Sequence, residues 1–142
     1  MSTVIAKIPQ FLMNTAINSD TPQKKIASLF LDLVVTGKVA EAYDTYVHPN
    51  FRHHNQYYKG DRATLMAGME ESNVNFPHKV LEVKKILEDA DLVMTFSSVK
   101  MTTDMPEVAV MHLFRFEDGK IMELWDIGQQ LSEDSQNENG MF

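Results

Sequence analysis

Two side chains in the C-terminal third are the clearest candidates for chemistry. Asp126 follows the only tryptophan, Trp125, near the end of an apolar run. A carboxylate set among Phe, Met and Leu is disfavoured in its charged form by desolvation, which suits proton transfer near neutral pH. The plainer reading is a strand-end Asp that is solvated or bonded to backbone. His112 interrupts the alternation of Val108, Val110, Phe114 and Phe116. It reads either as a satisfied core histidine or as a donor toward a carbonyl or enolate oxygen. A third cluster is His53-His54-Asn55, with His48 five residues earlier. Adjacent residues of a strand point to opposite faces, so at most one of the pair lines a pocket. His54 is taken as that pocket residue. No carboxylate stands at metal-ligand spacing from the cluster, so no metal is expected.

Whether His112 and Asp126 meet depends on Phe116-Glu117-Asp118-Gly119-Lys120. Asp-Gly alone makes a two-residue type I′ turn. Glu-Asp-Gly makes a three-residue turn with Gly119 in the left-handed region and a bulge. The choice moves the register by one and exchanges faces. In the three-residue version Phe116 pairs with Lys120 and His112 with Leu124. His112, Phe114, Met122, Leu124 and Asp126 then share one face, with His112 and Asp126 as diagonal neighbours. In the two-residue version His112 faces Trp125 and lies opposite Asp126's side. The three-residue turn is preferred because it gathers the large apolar groups on one face. It also brings Arg115 near Glu123 on the other.

The elements that position these residues are legible in outline. Thr21-Pro22 opens a helix, with Thr as cap and Pro in the first turn. Ile26, Leu29, Phe30, Leu33 and Val34 form its apolar face, and Gly37 ends it. Val39, Ala42, Tyr43 and Tyr46 mark a second helix, broken by His48-Pro49-Asn50. Phe51 to Tyr57 reads as a strand. Gly60-Asp61 opens a third helix, with Asp61 as cap and Leu65, Met66 and Met69 on its buried side. After Pro77 the spacing becomes that of strands: 78–87, 92–101, 107–116 and 120–130, separated by polar turns. The order ααβαββββ predicts an α+β fold, with helices packed on one face of a curved sheet built as an antiparallel meander. The sequence divides into an N-terminal segment, 1–20, expected to be partly ordered, a single domain over 21–131, and an acidic polar tail over 132–142. The tail is either frayed or folds over a pocket or partner through Met141-Phe142.

Composition bounds the function. The chain has 142 residues, 44% hydrophobic and 23% charged, enough for one domain with a real core. Thirteen Lys and Arg against twenty Asp and Glu give a net charge of −7, which disfavours nucleic acid and anionic membrane as partners. No cysteine occurs, so thiolate chemistry and Cys-ligated metals are excluded, and a reducing cytoplasm fits. No run of about 18 apolar residues exists to span a membrane, and the N-terminus lacks the pattern of a signal peptide. The ten methionines include Met66, Met69, Met94, Met101, Met111 and Met122 in elements expected to face inward, as core filling or adaptable pocket lining.

The stretch from Leu113 to Ile127, LFRFEDGKIMELWDI, resembles the C-terminal hairpin of SnoaL-like proteins. Phe51-Arg52-His53-His54-Asn55 resembles that family's first-strand His-Asn motif, and Glu88 to Val93 its acidic turn. The element order agrees from about Ile26 to Gln130. The resemblance lies within the broader superfamily of nuclear transport factor 2-like and ketosteroid isomerase-like proteins. It implies a cone-shaped, cystatin-like fold with a curved sheet against three N-terminal helices, an apolar pocket and often a homodimer. Its best-known enzymes close polyketide rings by intramolecular aldol condensation, without metal or organic cofactor. His54 and Asn55 match the first-strand motif, and Trp125 and Asp126 the end of the hairpin. Leu124 stands where relatives commonly have His, Phe96 where they often have a polar residue, and His112 where they usually have an acidic one.

The expected function is a cofactor-independent acid/base enzyme acting on a small apolar carbonyl compound, as aldol-type cyclase, isomerase or dehydratase. Asp126, His112 and His54 are its expected catalytic residues. Asn55, Trp125, Leu124, Phe114, Met122 and Phe96 are expected to contact substrate. The alternative is a non-catalytic module of the same superfamily that binds a small ligand or dimerises.

Overall fold

The computed structural model describes residues 21–142, so the expectation for the N-terminal segment lies outside the described residues. Helix α1 spans Pro22–Val35. Thr21 is its N-cap, its hydroxyl accepting from the Lys24 amide at 3.2 Å, and Pro22 sits in the first turn. The buried stripe is Ala27, Phe30, Leu31 and Val34, with Ile26 and Leu33 packed at its margin. Leu29, expected in the stripe, is instead 45% exposed, because α1 wedges between helix α2 and strands β2 and β3 and turns Ala27 and Leu31 inward. Gly37 closes the helix at φ 91°. Helix α2, Val39–Tyr46, buries Val39, Ala42 and Tyr43.

Strand β1 is Val47–His53, not 51–57. Pro49 ends α2's reach without preventing a strand, because β1 lies at the sheet edge, where a missing N–H is tolerated. Beyond His53 the chain turns, the Tyr58 amide bonding the Asn55 carbonyl. Helix α3, Arg62–Asn75, starts after Asp61. The Asp61 carboxylate takes the Thr64 hydroxyl rather than a backbone amide. Leu65 and Gly68 are the buried positions, and Gly68 leaves room for the Tyr58 ring.

Strands β2 (Val80–Asp89), β3 (Leu92–Lys100), β4 (Val108–Glu117) and β5 (Lys120–Gln130) form the meander. The sheet order is β1-β5-β4-β3-β2. The meander is antiparallel, but β1 runs parallel to β5, so the sheet is mixed rather than wholly antiparallel. Such a pairing needs a long crossover, here α3 and three strands. Glu88 and Asp89 belong to β2, paired with Val93 and Leu92. Only Ala90-Asp91 turns, with Ala90 at φ 53°.

The β4–β5 turn is the two-residue type, Asp118-Gly119, with φ 54° and 74°. The three-residue turn expected from Glu-Asp-Gly does not form. A bulge at Met122 follows instead, between the Phe116–Ile121 and Arg115–Glu123 pairs. From there His112 pairs with Asp126, Leu113 with Trp125 and Phe114 with Leu124. The pairing of His112 with Leu124 is therefore corrected by two positions. The shared face for His112 and Asp126 survives, as a direct pair rather than a diagonal one.

The inner sheet face packs on the helices. Phe30 contacts Tyr43 and Phe114 at ring separations of 5.7 and 6.0 Å, and Tyr43 meets Phe51 edge-on at 6.2 Å. On the opposite face stand Met94, Phe96, Met111, Leu113, Trp125 and Ile127. Met94 and Met111 thus face away from the core they were expected to fill, with Met111 46% exposed. The tail ends against this outer face, with Phe142 5.5 Å from Phe96 and the Lys84 ammonium 5.5 Å from the Phe142 ring. No helix among the described residues is long and apolar enough to cross a membrane.

Candidate functional site

On the inner face, β5, β4 and β3 align Asp126, His112 and Thr95 in one transverse row, each the direct partner of the next. Strict alternation puts Val93, Thr95 and Ser97 of β3 on that face, and His112, Phe114 and Phe116 of β4 beside them. The Asp126 carboxylate is held from the β1 side. Asn55 Nδ2 donates to both its oxygens, at 3.0 and 3.1 Å. Asn55 Oδ1 accepts the Tyr57 amide at 3.0 Å, which fixes the orientation of the side-chain amide.

His53 is buried, its ring stacked on Phe51 and edge-on to Tyr58. Its Nδ1 accepts the Asn55 amide at 3.2 Å, so the neutral ring carries its proton on Nε2. That Nε2 is buried without a partner among the described residues. Burial pulls the pKa of His53 below the usual imidazole value, against the pull of Asp126 and Asp61 upward. His112 stacks on Phe114 at 5.9 Å, and its Nδ1 is likewise buried and unpartnered. Burial lowers its pKa as well, with Asp126 opposing. Both rings are neutral at pH 7.

A half-open cleft of about 770 Å³ leads to the carboxylate, lined by Asn55, Tyr57, Val110, Asp126, Gly128 and Gln130 among others. The cleft walls mix Val108, Val110 and Ile127 with polar side chains, and His53 and His112 stand behind them rather than among the lining residues. The arrangement combines a positioned carboxylate, an N–H donor of fixed tautomer and a second neutral imidazole. That set is suited to moving a proton at carbon next to a carbonyl.

His54 is among the residues that line the cleft. It lies on the outer side, 2.6 Å through Nε2 from Glu123 and stacked on Trp125 at 4.8 Å. The parity of β1 decides this, since buried Phe51 two residues before His53 draws His53 inward. That apolar residue was the signal that could have chosen between the two histidines. Trp125 and Phe96 sit on the outer face, away from the row. Leu124 and Phe114 are 2% and 0% exposed and belong to the core. Met122 is the half-buried residue of the bulge. Asn55 alone of the expected contact residues touches Asp126. Sequence reasoning missed His53, Thr95 and Ser97. The alternation of Val93, Thr95 and Ser97 within β3 was the available sign for the last two.

The outer face holds a separate charge cluster. Glu123, 5% exposed, receives Arg52 at 2.9 and 3.2 Å and Arg115 at 3.1 Å in addition to His54. The Arg52 hydrogen bonds above all, with His54 and Arg115 adding, hold its pKa at about 2 against the effect of burial.

The profile of the SnoaL-like domain family matches residues 27–124. Among solved structures, a candidate polyketide cyclase from Bacillus cereus is 22% identical, with a TM-score of 0.67, covering 76% of this chain and 74% of that one. AclR, a candidate hydroxylase from Streptomyces galilaeus, is 21% identical with a TM-score of 0.65, covering 75% and 88%. IdmH, a candidate polyketide cyclase from Streptomyces antibioticus, is 21% identical with a TM-score of 0.62, covering 76% and 91%. These likenesses concern the fold. A comparison with curated proteins finds no match.

Proposed function

The chain belongs to the SnoaL-like domain family, and from that membership we propose that it is a cofactor-free acid/base enzyme acting on a small apolar carbonyl compound. Asp126 takes the proton from the carbon next to the carbonyl. The C–H electron pair moves into a C=C bond and the carbonyl oxygen becomes an enolate. His53 Nε2–H donates to that oxygen, and His112 lies across the sheet from the base, supplying a second polar group. The enolate carbon then attacks a second carbonyl of the same molecule, whose oxygen takes the proton back from Asp126, as in an aldol closure, or the enolate takes the proton back at another carbon, as in an isomerisation. The observation that carries this reading is the Asn55-clamped carboxylate beside two imidazoles, each with a buried nitrogen that has no partner among the described residues. The names given to the Bacillus cereus protein and to IdmH support a cyclase within this class.

The outer face supports a homodimer. Met94, Met111, Leu113, Trp125 and Ile127, with Asp126, line a shallow, almost wholly apolar groove of about 300 Å³, and Ile127 is 78% exposed. A non-catalytic dimerising module would use the same face, and the test below separates the two. The lack of cysteine agrees with a cytoplasmic location.

The test uses 2-tetralone, a bicyclic ketone with acidic protons, in D₂O. Wild-type protein is expected to speed exchange of its α protons, followed by NMR. Asp126→Asn keeps the shape and should lower that rate about 100-fold or more. Equal rates for the two proteins would leave only the binding module.

A further inference from the structure

Thr95 and Ser97 are completely buried on β3, and neither hydroxyl has a hydrogen-bond partner among the described residues. Buried hydroxyls are nearly always bonded, so a neighbouring pair left open needs a reason. Their neighbours in the sheet do not supply one. Thr95 lies between Ile86 and His112, and Ser97 between Val83 and Val110. None of these four carries a formal charge once His112 is neutral, so nothing there would hold a carboxylate or phosphate. A hydroxyl both donates and accepts, so this pair suits a neutral oxygen, either ketone or alcohol. Thr95 stands two strands from Asp126 in the same row, roughly 10 Å at the usual strand spacing.

We infer that Thr95 and Ser97 form a second polar subsite, taking a neutral oxygen at the far end of a ligand whose near oxygen lies beside Asp126. The ligand class is an apolar ring system carrying neutral oxygens at opposite ends. This builds on the acid/base reading for the near end, but the subsite itself is read by binding alone.

Two probes test it by calorimetric titration of the full chain: 2-naphthol, with one oxygen, and 2,6-dihydroxynaphthalene, with one at each end. Wild-type protein should bind the diol about tenfold more tightly. In Thr95→Val with Ser97→Ala that preference should vanish while 2-naphthol affinity stays the same. The Tm of the ligand-free double variant should be unchanged or higher, because groups without partners have been removed. Asp126→Asn, which should stop 2-tetralone exchange, should keep the diol preference, so the two readings fail separately. The subsite is overturned by a diol preference that survives the double substitution. It is equally overturned by absence of diol binding, or by a fall in Tm that reveals structural partners for the hydroxyls.

Discussion

Asn55 shows how one side chain can define a site. Its amide spans the Asp126 carboxylate while its backbone N–H sets the tautomer of His53, so a single residue orients both the base and the donor. The electrostatic consequences appear in the acid limb of stability. His53 and His112 have folded pKa values pulled below the usual 6.5 by burial. The unfolded chain takes protons first, so the stability these rings carry is complete above about pH 6.5 and is lost as pH falls below it. Glu123 titrates at about 2 when folded against 4.5 ordinarily. Its contribution is complete above pH 4.5 and drains away toward pH 2. Tm followed by circular dichroism from pH 7.5 to 2.5 should therefore fall in two stages, and Glu123→Gln should shrink the lower one, leaving the smaller share of Asp61, whose pKa the Thr64 hydroxyl also lowers. A flat Tm between pH 7 and 5.5 would mean that the imidazoles are not held neutral by burial.

Among the elements, the β4–β5 hairpin determines which side chains meet. Both residues of its turn have positive φ, the conformation that matches the right-handed twist of the strands. A regular ladder continued from that turn would put His112 opposite Trp125. The extra residue at Met122 restores Asp126 to the same side. Gly119, at φ 74°, has open space where a side chain would project, so the cost of a Cβ there is conformational only. Gly119→Ala should destabilise the fold by about 1 kcal/mol in urea titration while leaving the His112–Asp126 pairing intact. A loss several times larger, or NMR contacts showing a shifted register, would contradict this account of the hairpin.

Taken whole, the molecule divides its sheet into two faces with separate tasks. The inner face packs on three helices and carries the polar row. The outer face combines the Glu123 cluster with an apolar groove and the seat of Phe142. Met111 projects from that face, 46% exposed, and is not among the residues lining the cleft that leads to Asp126, so Met111→Lys tests the dimer directly. Sedimentation should change from a dimer to a monomer, with the 2-tetralone exchange rate per chain retained. An unaltered dimer would mean that copies associate through another surface.

Local chemistry settled much in advance. The capping Thr21-Pro22, the helical spacing of α1 and α2 and the strand runs after Pro77 are short-range signals, and they yield the ααβαββββ order and the α+β class. Asp126 and His112 stood out because a polar residue in an apolar alternation is visible without coordinates. What waited for the tertiary structure depended on parity and pairing between distant segments. Which of His53 and His54 faces inward is decided by how β1 lays Phe51 on the core. Whether Asp126 meets His112 is decided by a bulge that no turn motif announces. The row linking Asn55, Asp126, His112 and Thr95 exists only once the β1 edge and β3 are set on either side of the hairpin. A strand's side chains alternate with a period of two, so a shift of one residue reverses every assignment, and only the packed sheet fixes that shift.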